Sequence, residues 1–168
     1  MGFTIDGNTP SNITYNGETV NKVTYNGEVI WARAITVTFT CNTGTTTVNA
    51  SKNFTMTTSA PSPTYTTGTY TYTLKVPYKK SVGGSFSKAC TLHLYLRNSS
   101  GTNLIDFGSK TLSTTGSGGS TYTLTFTATS TTWLGDASSY VLYSPGAGGG
   151  NKDNYRWNGT ATLTMTTP

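Results

Sequence analysis

Apolar residues alternate one-for-one with threonine through much of this chain, and few architectures tolerate that pattern. In Ile35-Thr36-Val37-Thr38-Phe39-Thr40-Cys41 the side chains of Ile35, Val37, Phe39 and Cys41 fall on one face of an extended backbone and the threonines on the other, which reads as a half-buried strand. Similar runs recur at 53–57, 69–76, 89–97, 104–112, 121–128, 140–143 and 158–165, separated by clusters of Gly, Ser, Asn or Pro. Short strands punctuated in this way describe an all-β chain whose main body, residues 34–168, is an antiparallel β-sandwich, jelly-roll or immunoglobulin-like. Nowhere do apolar residues recur at i, i+3, i+4 and i+7 over two turns, so at most a turn near Trp133 to Ala137 is expected to be helical. Composition agrees: threonine outnumbers even the 19 glycines, and 11 tyrosines add a second strand-favouring residue.

A second pattern sets the N-terminus apart. Ile13-Thr14-Tyr15-Asn16-Gly17-Glu18-Thr19-Val20 returns ten residues later as Val23-Thr24-Tyr25-Asn26-Gly27-Glu28-Val29-Ile30. Each copy sets Asn-Gly between strand formers, and Asn-Gly supplies the two positive φ angles of a type I′ hairpin turn. Asp6-Gly7 carries the same turn chemistry. Residues 1–33 are therefore expected to form a β-hairpin meander. Isolated hairpins are only marginally stable in water, so Tyr15, Tyr25, Ile30 and Trp31 need a surface to cover, either the following domain or a partner.

Several functions are poorly served by these residues. Charged side chains make up 10% of the chain, where about a quarter is usual, so solubility rests on Thr, Ser, Asn and Gly, a surface that suits extracellular or virion proteins. The net charge is +5, but the basic residues lie singly except at Lys79-Lys80, which disfavours nucleic acid as a partner. No apolar run approaches the ~18 residues of a membrane helix, and the polar start at Met1 to Gly7 is unlike a secretory leader, which points to synthesis in a cytoplasm and no membrane anchor. Cys41 and Cys90 lack the spacing of a zinc site; two buried thiols are the plainer reading and a disulfide the lesser one. No metal and no cofactor is expected, since the glycine run 146–150 also lacks the Lys-Ser/Thr of a phosphate loop.

Catalysis finds little to work with. His93, the single histidine, lies on the polar face of Thr91-Leu92-His93-Leu94-Tyr95-Leu96, where a surface or cross-strand role is expected. Of the six acids, Asp6, Glu18 and Glu28 sit at turn glycines, which leaves Asp106, Asp136 and Asp153 with no evident pair for glycoside hydrolysis, although Asp106 and Asp136 are free to meet in space. No G-x-S-x-G elbow occurs. The chain reads as a non-enzyme.

One binding signature stands out. Trp133, Tyr143, Tyr155 and Trp157 flank the glycine-rich segment 144–154 together with Asp153 and Arg156, and aromatic rings beside planar polar groups are what glycan recognition uses. The competing reading, which the sequence favours, is that these rings pack a core. Exposure separates the two.

The tandem Tyr-Asn-Gly-Glu repeat resembles a short module of structural proteins in tailed phages and prophages, particularly those of gut bacteria. Residues 34–168 resemble, in composition and strand spacing, the β-domains of phage decoration, fibre and tail-tip proteins. The resemblance implies a non-enzymatic component of the virion surface that docks through residues 1–33 on other virion proteins or on sister subunits. Homo-oligomers follow, trimers especially for fibres, with a host-surface glycan as a further partner.

Overall fold

The computed structural model describes residues 8, 10, 12–20, 22–26, 28–32, 36–59, 68–135 and 137–166. The repeat forms two hairpins, β1 (Ile13–Tyr15) with β2 (Glu18–Val20), and β3 (Lys22–Tyr25) with β4 (Glu28–Ala32). Asn16 and Gly17 have φ of 50° and 82°, as a type I′ turn demands, and Asn26 repeats the value at 49°. Each hairpin is a two-stranded sheet of its own. β2 and β3 belong to different sheets, so the expected meander is two hairpins in series.

Among the described residues the main body has ten strands: β5 (Thr36–Asn42), β6 (Lys52–Thr57), β7 (Tyr70–Lys80), β8 (Cys90–Arg97), β9 (Asn103–Thr111), β10 (Thr121–Ser130), β11 (Ser139–Ser144), β12 (Gly148–Gly149), β13 (Tyr155–Trp157) and β14 (Thr160–Thr166). Their ladders run β10-β7-β14-β5 and β6-β11-β8-β9, all antiparallel, and the two halves meet through one residue pair, Thr40 with Thr57. Numbered in chain order, the eight long strands fall sixth, third, eighth, first in one sheet and second, seventh, fourth, fifth in the other. That interleaving is the double Greek key of a jelly roll. The far edges also approach, with the rings of Phe107 on β9 and Phe126 on β10 6.5 Å apart.

Alternation explains the layers. β5, β7 and β8 bury every second residue, sending Phe39, Tyr72, Leu74, Leu92, Leu94 and Leu96 between the sheets. The outer face of the first sheet is threonine in consecutive cross-strand rows: Thr129-Thr71-Thr166-Thr36, then Thr127-Thr73-Thr164-Thr38, then Thr125-Lys75-Thr162-Thr40. β7 runs on past Val76 through Pro77, which sequence reading treats as a stop. Pro77 lies where β7 leaves β14 and takes up β13, so its missing N–H interrupts no ladder, and its carbonyl accepts from Asn158 N at 3.2 Å.

Among the described residues of 133–137 no helical turn forms, and a 3-10 turn occurs at Lys152–Asn154. Segment 144–154 is tied to its neighbours: Gly149 pairs with Cys90, Gly150 N donates to Ala89 O at 2.9 Å, and Ala147 N donates to Val48 O at 2.8 Å. Gly149 has φ of 93°, and a Cβ there would sit 2.6 Å from Ala89 O, so the close approach of the two backbones needs glycine.

Cys41 and Cys90 are buried free thiols. Burial pushes the Cys41 thiol up to about 11 and raises that of Cys90 as well, so both stay protonated and shielded. The native protein at pH 8 is therefore expected to give no fast reaction with Ellman's reagent and to release two thiols per chain in denaturant. Fast native labelling would contradict this packing.

Candidate functional site

The residues singled out in the sequence do not assemble into one platform. Tyr155 and Trp157, on β13, are buried: the Tyr155 hydroxyl donates to Ser113 O at 2.9 Å, and the Trp157 ring meets Phe54 edge-on at 5.1 Å. Between them Arg156 points the other way, and its Nε donates to Ser81 Oγ at 3.0 Å. Asp153 is exposed and accepts from the Asn49 side-chain amide. Trp133 is half-buried 5.4 Å from Tyr70, and a Cβ on Gly135 would come within 2.1 Å of its indole. Only Tyr143, outward on β11, stands on an open sheet face.

In the repeat, Tyr15 and Tyr25 are 72% and 67% exposed. Ile30 and Trp31 lie on β4, but their side chains, like Asp136, lie outside the described residues.

Around Tyr143 the structure gathers groups that the sequence did not place together. His93, Tyr95 and Arg97 alternate outward on β8, and the register sets Tyr143 beside Tyr95 and Tyr95 beside Asp106 on β9. The His93 and Tyr95 rings stack at 4.4 Å and 16°, and Tyr95 lies 6.2 Å from Tyr143. The Arg97 guanidinium covers Tyr143 at 3.3 Å from the ring centre, and its Nε donates to Asn103 Oδ1 at 2.7 Å. Imidazole, two phenols and a guanidinium thus stand in succession on one sheet face. A Tyr-Arg contact of this kind contributes about 0.5–1 kcal/mol where exposed.

Asp106 and Ser109 flank His93 for a local reason. Three residues apart, they would face opposite sides of a regular strand, but Gly108 has φ of 71° and a bulge shifts the register opposite His93 to Tyr95. Both side chains then reach the imidazole: Nε2 donates to Asp106 Oδ1 at 2.6 Å, and Nδ1 pairs with the Ser109 hydroxyl at 2.9 Å. The Gly108 N–H adds a bond to Asp106 at 2.7 Å, and with His93 it holds the carboxyl below the usual carboxylate range. Ser, His and Asp are the residue types of a hydrolytic triad, yet here serine faces Nδ1 and aspartate Nε2, the reverse of the catalytic order. Asp106 is also 57% exposed. The trio orients His93 beneath Tyr95. A strand-interior glycine was the one sequence signal of this bulge.

Among the described residues no group of three His, Cys, Asp or Glu side chains gathers to hold a metal.

No family model and no curated protein sequence matches the chain. Among solved structures, it is similar to a chain of the T13 viral particle of infectious bursal disease virus, with a TM-score of 0.43 and 13% identity over 89% of this chain. Structures of the Gx and Gt strains of that virus give TM-scores of 0.39 at 14% and 13% identity, over 94% and 92% of this chain. This chain spans 36–39% of the length of those chains. Scores this low describe a loose likeness and carry no functional argument.

Proposed function

We propose that this chain is a non-enzymatic structural protein of a virus particle, of the tailed-phage kind, in which the hairpins dock and the jelly roll is displayed. The observation that carries the reading is the exposure of Tyr15 and Tyr25, equivalent positions of the two repeats, on two-stranded sheets too small to be stable alone. Large rings held in water on marginal hairpins gain most from a partner, and aromatic anchors of this type cost about 2 kcal/mol or more of binding when truncated. The double Greek key is also a recurrent architecture of viral capsid and lectin domains, which supports the reading by analogy of fold alone.

Docking makes the hairpins control assembly. Light scattering is expected to show the full chain as an oligomer, and the Tyr15→Ala/Tyr25→Ala double variant, or a chain beginning at Ala34, as a monomer. Monomers throughout would remove self-docking, and absence of the chain from purified particles by peptide mass spectrometry would remove the virion role.

A further inference from the structure

The two outer faces of the jelly roll differ in a way that strand propensity does not explain. Both meet the same solvent and both demand β-formers, yet the first sheet presents threonine at eleven of the twelve positions in its three rows. The second sheet presents Asn53-Tyr143-Tyr95-Asp106 in one row and Thr55-Val141-Arg97-Asn103 in the next, with His93 and Ser109 beyond. The first face shows that neutral threonine suffices for strand pairing and solubility. Rings, planar amides and a guanidinium on the second face need another reason.

We infer that the outer face formed by β6, β11, β8 and β9 binds an oligosaccharide bearing a carboxylate, read by Arg97 and supported by Tyr143 and Tyr95. Four strands about 4.8 Å apart, crossed by rows about 7 Å apart, make an open surface that suits an extended chain lying across it. A pyranose offers hydroxyls to planar and hydroxyl partners, here Asn53, Asn103 and the tyrosine hydroxyls. Arg97 supplies the charge complementarity. Its plane is fixed by Tyr143 on one side and its Nε by Asn103, so the guanidinium is set in advance for a carboxylate, which lowers the entropy lost on binding. The one acid on the face, Asp106, is answered by His93 and the Gly108 N–H and stands in the neighbouring row, so it leaves Arg97 to the ligand.

The inference is independent of the hairpins and survives or fails apart from the docking reading. Isothermal titration of the full chain with tetragalacturonate, against neutral maltotetraose, tests it directly. Tetragalacturonate is expected to bind at least tenfold more tightly than maltotetraose. Arg97→Lys, which keeps the charge and loses the planar fork, is expected to weaken binding at least tenfold, and Tyr143→Leu to do the same. Thr127→Ala, on the opposite sheet, is expected to change nothing. No binding of tetragalacturonate, equal binding of maltotetraose, or undiminished binding by both face variants would each overturn the inference.

Discussion

Replacing Lys80 by alanine is expected to cost about 3–4 kcal/mol, a fall in Tm of about 10 °C for a domain of this size. Lys80 ends β7 with 0% of its surface exposed. Its Nζ donates to the carbonyl of Thr115 and, at 3.5 Å, to that of Gly116, and it lies 4.6 Å and 5.2 Å from the ring centres of Phe86 and Tyr122. Its backbone holds the far end of the same loop, through Gly119 N to Lys80 O at 2.7 Å and Lys80 N to Ser120 O at 3.1 Å. One residue therefore pins the whole connection from β9 to β10. Alanine removes the packed stem and leaves two carbonyls without this donor. Lys80→Met keeps the stem and isolates the second effect, for which about 1–2 kcal/mol is expected. Urea or thermal unfolding reads both variants. A Met variant as stable as the parent would mean that the buried ammonium is a liability, as buried charges often are.

Trp157→Ala is expected to cost about 3–5 kcal/mol, because the ring is 0% exposed and fills the space beside Phe54. The loss would come as instability and not as a change of ligand affinity, the opposite of what a glycan platform at this residue requires. Trp157→Phe sharpens the test. The indole Nε1 has no acceptor among the described residues, so phenylalanine loses some volume but also removes an unanswered donor. It is expected to cost less than half as much as alanine. Equal losses would show that the N–H is satisfied in solution.

The eight long strands were legible from alternation alone, with ends displaced by at most four residues, because a half-buried strand writes its period into every second position. β12 and β13 were not, and both lie at the C-terminal end where glycines and aromatics crowd. Gly148 and Gly149 carry no side chain to alternate, and Tyr155-Arg156-Trp157 is too short to show a period. Both strands exist because β8 and β7 offer free edges there. The same ambiguity hid the fate of the aromatics: tyrosine and tryptophan serve a core edge and a sugar platform equally well, and only the fold shows which side of its strand each ring takes.

Local periodicity and backbone sterics made the chain all-β, turned its N-terminus twice at Asn-Gly and set threonine outward, and all three are readable without the fold. Tertiary structure decided the strand order of the jelly roll, the capture of Lys80 by a loop thirty-five residues away, and the succession from His93 to Arg97. Those depend on which strands become neighbours and on a one-residue bulge at Gly108 that brings Asp106 and Ser109 to one side. Pairing between distant segments is set by how the whole core closes, and no local pattern carries that information.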